Sequence, residues 1–441
     1  MNVLGLFGIV AALVLLIVLV YKGVHVVVAG ALAAVIVAVT NSLGATAGYS
    51  EVYLAGMGGF VTGNLPIYLW GGIFGELFNV SGAARSIAQA ISRLFRGQKQ
   101  QTGVLTSILI IFVAGTLMSY GGISGIVLMF VLMPLTLEIL KESRIPRYMA
   151  PGILLGALAT AALSMPGSPQ IQNSAPINYL GTTSMAAAIP GFIGGAVVIL
   201  LNILFLNWAA KREIAAGRVF VTLDTDAHVR DVSDGKLPHP VASLAPLVVT
   251  FVLFNGFKLY IGFSIVAGIL VGIALFWKQL DGVRTILKMM GGAVASASVL
   301  CLSSAALAGF GSVVQATEAF GQFSASITGI QGPPLFIAMF AIVLVTAICG
   351  SGPAAIGAAL PMFKDTFAAM GVNMSALHRI AAFSATTLDT LPTNAGFIAA
   401  TGLAGAETRQ SYKYVGVCTV INTTVATLVV TALLTFFPGL A

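Results

Sequence analysis

The chain has 441 residues, of which 58% are hydrophobic and only 8% charged, with a formal net charge of +7 and a mean hydropathy of +1.00. Soluble domains carry about 25% charged residues, so that class is excluded, and the composition points to an all-α polytopic membrane protein. Apolar runs of roughly 17–25 residues, each long enough to cross ~30 Å of hydrocarbon as a helix, repeat from end to end. The positive excess does not indicate nucleic acid, because the basic residues fall in short segments between apolar runs, where orientation in the bilayer accounts for them.

The stretch Val3 to Val20 has no basic residue ahead of it and no small-residue cleavage site before Tyr21 and Lys22, so a retained first span is expected rather than a secretory signal. Spans follow at about 23–41 and 53–79, then a loop with Arg85, Arg93, Arg96 and Lys99. Similar basic groups recur at Lys141, Arg144 and Arg147, at Lys211, Arg212 and Arg218, and at Lys278, Arg284 and Lys288. All are expected to face the cytoplasm. The segments Ser42 to Val52 and Ser312 to Gly332 hold one glutamate each and no Lys or Arg, and Ser174 to Ser184 has no charge. Those are expected to face outward, which places the N-terminus in the periplasm.

Residues 102–140 are apolar except for "SYGGIS" (Ser119 to Ser124), yet both ends look cytoplasmic. A re-entrant hairpin with its tip at depth fits this pattern; its arms, ~24 Å of helix each, leave two thin spans as the alternative. Met149 to Asn178 forms a helix broken midway by "SMPGSPQIQN" (Ser164 to Asn173), and Met185 to Ala209 returns to the cytoplasmic side. The linker 211–240 has the densest charge mixture (Asp224, Asp226, Arg230, Asp231, Asp234, Lys236) and is too short for a soluble domain.

The second half, 241–441, repeats the order of 1–210 with opposite orientation. Spans near 242–257, 259–276 and 287–311 precede a hairpin over about 333–363 around "CGSGP" (Cys349 to Pro353). A helix over about 380–403 is broken by "LDTLPTNAG" (Leu388 to Gly396), and Tyr412 to Phe437 closes the chain. Pro134 precedes Pro166 by 32 residues and Pro361 precedes Pro392 by 31. This pattern predicts an inverted-topology repeat.

Proline lacks the N–H that a helix interior needs, so Pro166, Pro169 and Pro392 leave backbone groups unpaired where no water is at hand. Freed N–H groups at the start of a half-helix attract anions, and freed carbonyls at the end of the other half attract cations. Four such interruptions meeting near the midplane would suit a small hydroxylated anion. The candidate substrate-binding residues are Ser119, Gly121, Gly122, Ser124, Ser168, Gln170, Gln172, Asn173, Gly350, Ser351, Gly352, Thr390, Thr393 and Asn394. Asp389, inside the second broken helix, is the candidate for proton or cation coupling, with a helix cap as its plainer role. A lone Gly or Pro in a membrane helix is more often a kink or packing contact; the matching of four clusters favours a site. "GMGGF" (Gly56 to Phe60) and "GGIFG" (Gly71 to Gly75) are read as packing faces. Glu76 is expected near the cytoplasmic end of the third span, and His25 and His378 near interfaces. Cys301, Cys349 and Cys418 lie far apart in apolar segments and are read as packed small residues, so no metal or cofactor beyond a coupling ion is expected.

The marks "YGGIS" (Tyr120 to Ser124), "RIPR" (Arg144 to Arg147), "PGSPQIQN" (Pro166 to Asn173), "YLGTT" (Tyr179 to Thr183) and "LDTLPTNAG" together resemble the gluconate permease (GntP) family of the ion transporter superfamily, over nearly the whole chain. The resemblance implies a bacterial inner-membrane symporter for gluconate or a related hydroxy acid, usually proton-driven. It also implies a homodimer in which hairpins and broken helices move as an elevator against a scaffold. Many members have His after "DTLP", where this chain has Thr393. That departure removes an imidazole, shifts coupling toward Asp389 or sodium, and favours a short monocarboxylate such as a hydroxybutyrate. A dicarboxylate or citrate carrier would need more positive charge at the site. An anion channel would use "SYGGIS" and "CGSGP" as its filter. An enzyme is not expected, since no nucleophile–base pair or HExxH motif is present.

Overall fold

The computed structural model describes residues 3–22, 24–96, 103–223, 237–322, 331–349, 351–392 and 394–441. Lys99, Gly350, Thr393 and the charged stretch 224–236 lie outside them. Among the described residues every regular element is helical, as hydrocarbon demands of a backbone that must satisfy its own polar groups.

The first half begins with α1 (Val3–Tyr21) and α2 (Val26–Thr40), which pack together. A π-helical turn, Gly48–Tyr53, leads into α3 (Leu54–Val80). The expected basic loop is instead a helix, α4 (Ala83–Arg96). Ala83, Ala84, Ile87 and Ala88 are buried along one side of it, the spacing of an amphipathic helix whose many basic and polar residues disguise it as a loop. Then come α5 (Val104–Tyr120) and α6 (Gly125–Glu142), joined by a turn over Gly121 to Ser124.

The first broken helix is in three pieces, α7 (Ala150–Leu158), α8 (Ala161–Ser164) and α9 (Ile171–Leu180), before the long α10 (Ala188–Ala215). Helix resumes at Ile171, so Gln172 and Asn173 occupy its first turn instead of the break. In the second half, α11 (Pro240–Phe251) ends in a π turn, Val252–Gly256, and is followed by α12 (Ile261–Leu275) and α13 (Val283–Gln315). Arg284 and Lys288 therefore belong to a helix. The pair α14 (Pro334–Cys349) and α15 (Gly352–Ala369) precedes α16 (Met374–Thr387) and α17 (Ala395–Ala404). Last, α18 (Thr408–Gly416) passes through a π turn, Val417–Ile421, into α19 (Asn422–Phe436).

Among the described residues, three helical runs, Ala188–Ala215, Val283–Gln315 and Thr408–Phe436, are long and apolar enough to cross a membrane by length and composition. The most extensive pairing is α3 on α13, with Gly56 against Ser312 and Gly72 against Ala297, the faces expected for packing. Elsewhere α9 packs on both α15 and α16, so the broken helix of the first half rests on elements of the second. Prolines do not all break helices: Pro66, Pro134, Pro176 and Pro361 lie inside them.

Two basic residues depart from expectation. Arg147 is 7% exposed and not a free loop charge: its Nη1 donates to Ala404 O (2.8 Å), its Nε to Val221 O (3.1 Å), and the guanidinium lies 5.0 Å from the Phe220 ring centroid. The second broken helix starts at Met374, earlier than the expected 380, because Asn373 caps it through the N–H groups of Ser375 (2.7 Å) and Ala376 (3.3 Å). The extra turns place His378, with Arg379, in a fully buried position inside the protein.

Candidate functional site

The first break is anchored to the turn between α5 and α6. Where α5 ends and α6 has not begun, carbonyls lose their helical partners. Gln170 Nε2 donates to two carbonyls of this turn, Ser119 O (2.6 Å) and Ile123 O (3.0 Å). Gly122 has φ +104°, and a Cβ there would come within 3.0 Å of Pro169 Cγ. Both the left-handed backbone and the close approach require glycine. Ser119 Oγ donates to Leu158 O (3.0 Å), Tyr120 Oη to Pro166 O (2.5 Å) and Ser168 Oγ to Ala162 O (2.6 Å). "SYGGIS" and "SMPGSPQIQN" thus form one structure.

Beside it lies a residue that the sequence motifs do not single out. Arg379, on α16, is fully buried, and its guanidinium is saturated by neutral oxygens. Nε donates to Ala186 O (3.0 Å), and Nη2 to Ala186 O (2.7 Å) and Ser184 O (3.2 Å). Nη1 donates to Asn173 Oδ1 (2.8 Å) and to Ser164 O. Two of these acceptors are orphans of the broken backbone: Ser164 ends α8, and Ala186 stands four residues before Pro190, which has no N–H to offer. Asn173 completes the cluster, its Nδ2 donating to Ser168 O (2.8 Å) and Ser184 O (3.1 Å). His378 Nε2 lies 3.3 Å from Asn173 Oδ1, and its Nδ1 2.6 Å from Thr182 Oγ1. Among the described residues no carboxylate pairs with Arg379, so a full positive charge lies at the first break with only dipoles around it.

The second break repeats the arrangement with different chemistry. Asp389 Oδ1 accepts from Gly352 N–H (2.9 Å), the first residue of α15, where a carboxylate meets the positive end of a helix. A Cβ on Gly352 would come within 2.4 Å of Ala385 O, so the tip of the second pair lies directly on α16. Asn394 caps α17, accepting from Phe397 N–H (3.1 Å) while its Nδ2 donates to Asp389 O (2.7 Å). The capping role open to Asp389 therefore falls to Asn394, and Asp389 reaches across to the neighbouring turn. Thr390 turns the other way, bonding to Thr419 of the last π turn.

Gln170 and Asp389 thus each fasten a helix-pair turn to the break beside it. The two groups are linked through α9 and α16, by Asn173 and Arg379 and by direct packing. Ser124 and Ser351 precede α6 and α15 without capping them, and Gln172 is buried in α9. Two cavities, of about 390 and 210 Å³, lie away from all four interruptions, one at the junction of α10 with α18 and the other beside the starts of α14 and α16. Cys301 and Cys418 are buried and unpaired.

Arg379 had a signal in the sequence: "NMSALHR" places a capping asparagine ahead of a helical run, which puts Arg379 in the helix interior. A helix start placed at 380 hides it.

No family model matches the chain. It is 25% identical over 420 residues, 85% of this chain and 87% of the other, to the uncharacterized transporter YxjC of Bacillus subtilis (strain 168). Its fold is similar to that of the Alcanivorax borkumensis YdaH transporter, whose crystal structure revealed an unusual topology, with a TM-score of 0.59, 14% sequence identity and 87% of each chain covered. Apolar helices of spanning length and this shared architecture make the chain a polytopic helical membrane protein with the fold of a transporter, and its relatives support a transport function.

Proposed function

We propose that the protein is a secondary active symporter that imports a small hydroxycarboxylate anion, a gluconate-like sugar acid or a shorter acid such as a hydroxybutyrate. The observation that carries this reading is the buried charge of Arg379 beside the first broken helix, compensated by carbonyl dipoles and by no carboxylate among the described residues. Ionisable groups at membrane depth are costly and are kept where substrate or ion paths need them. One such cation suits a monocarboxylate, whereas a dicarboxylate or citrate would call for a second.

In this reading the chain is a gluconate permease relative of the bacterial inner membrane, with its N-terminus in the periplasm, working as a homodimer. Its halves are inverted repeats, and the hairpins and broken helices travel as one body in an elevator motion. The parallel placement of Gln170 and Asp389 supports the repeat. Asp389 is assigned to coupling, with a proton or sodium as the driving ion, and the polar residues of the four interruptions to substrate.

The test is uptake into proteoliposomes under separately imposed proton and sodium gradients, with gluconate, 3-hydroxybutyrate and citrate as substrates. Saturable, uphill accumulation of a monohydroxy acid under one of the gradients is expected. Preferred citrate uptake would select the dicarboxylate alternative, and strictly downhill, unsaturable flux would make the protein a channel.

A further inference from the structure

None of the residues lining the 390 Å³ cavity at the end of α10 comes from the four interruptions, and the cavity has a chemistry of its own. Its rim carries Arg212, Arg218 and Lys413 against a single carboxylate, Glu213, so three positive charges oppose one negative. Glu213 is 6% exposed and acts as the organiser: it accepts from Tyr148 Oη (2.5 Å), pairs with Lys413 Nζ (3.4 Å) and takes the Arg218 guanidinium. Arg212 is not drawn into that knot; its guanidinium lies over the Trp208 ring, 5.3 Å from the centroid. The outer side of the cavity therefore keeps exposed cations over aromatic rings.

Beyond the cavity itself, the helix surface that leads away from its rim is apolar and faces outward. Leu200, Leu204, Trp208 and Arg212 follow one another at intervals of four, so they share one face of α10. Leu200 is 57% exposed, Leu204 56% and Trp208 55%. α19 packs against α10 and, with the π turn before it, adds exposed Ile421, Val425 and Leu428. Two apolar stripes thus run up the outside of a spanning helix pair and end at a basic, aromatic-lined hollow. A free inorganic anion would have no use for the stripes, and a hydrocarbon chain alone would have none for the rim.

We propose that this cavity binds the phosphate headgroup of an anionic phospholipid, with the acyl chains lying along Leu200, Leu204 and Ile421. Arg212 and Lys413 hold the phosphate, and Trp208 sits at the level of the glycerol, where amphipathic rings are favoured.

Trp208 makes the site observable. The chain has three tryptophans, so Trp70→Phe/Trp277→Phe leaves one reporter, and lipids brominated on the acyl chain quench it on contact. In nanodiscs of phosphatidylcholine, brominated phosphatidylglycerol is expected to quench Trp208 at several-fold lower mole fraction than brominated phosphatidylcholine. Arg212→Gln should reduce that preference about fivefold, the worth of one basic residue at an anionic lipid surface, and Arg212→Lys should restore most of it. Millimolar inorganic phosphate should leave the preference unchanged. Equal quenching by the two lipids, an undiminished preference in Arg212→Gln, or displacement by inorganic phosphate would each overturn the proposal. Should the tryptophan variants not fold, native mass spectrometry of the wild-type protein reads the same preference as retained phosphatidylglycerol over phosphatidylcholine. Neither readout requires transport, so failure here is distinct from failure of the proposed function.

Discussion

Arg379→Met tests the central electrostatic claim, because methionine keeps much of the length of the side chain and removes both the charge and the donors. Four acceptors lose a partner, but not equally. Ser184 O keeps Gly167 N–H and Asn173 Nδ2, and Asn173 Oδ1 keeps His378. Ser164 O and Ala186 O have no second donor among the described residues, and at about 1–3 kcal/mol for each buried orphan the cost is about 2–6 kcal/mol. Against this, removing a buried ion returns a desolvation penalty of several kcal/mol. The opposing terms are of one size, so the variant is expected to fold. Substrate binding has no such offset. For an anion about 8 Å away at an effective dielectric of ~20, the lost attraction is about 2 kcal/mol, roughly thirtyfold in affinity. Gel filtration and circular dichroism would confirm the fold, and KM for the transported monocarboxylate, set beside that of Arg379→Lys, would report the affinity. A folded methionine variant with an unchanged KM would refute the role given to the buried charge.

Gly352→Ala places a methyl group 2.4 Å from Ala385 O, so the turn before α15 must retreat and the Gly352 N–H bond to Asp389 must lengthen. Uptake is expected to fall at least about tenfold, the kinetic equivalent of one lost hydrogen bond at the site, and a wild-type rate in proteoliposomes would show that the close approach is dispensable. Asp389→Asn keeps an acceptor oxygen for that N–H while deleting the charge. Solute exchange across the membrane should survive while gradient-driven accumulation is lost; accumulation that persists under both ion gradients would remove Asp389 from the coupling step.

The membrane class, the position of most helices and the places where they break were legible in the sequence, because hydrocarbon imposes a length on each apolar run and proline and glycine mark where it stops. "SYGGIS" and "SMPGSPQIQN" could each be located as turns, yet nothing in their spacing says that Gln170 joins them. Contacts that depend on one side chain reaching across tens of residues leave no periodic trace. The helix α4 was hidden for the opposite reason: its periodicity was there, but four basic residues from Arg85 to Lys99 suggested a loop. Arg379 shows a third failure, since a boundary set six residues late left the most consequential buried charge outside the helix that holds it.

The five donors of Arg379 also have a mechanical consequence. They stitch α16, from the second half of the chain, to the ends of three segments of the first half at Ser164, Asn173 and the stretch Ser184 to Ala186. Sliding α16 past any of them would strip a guanidinium of partners in a place where water cannot substitute. These pieces can only be displaced in unison, so whatever hinges the protein possesses must lie elsewhere along the backbone.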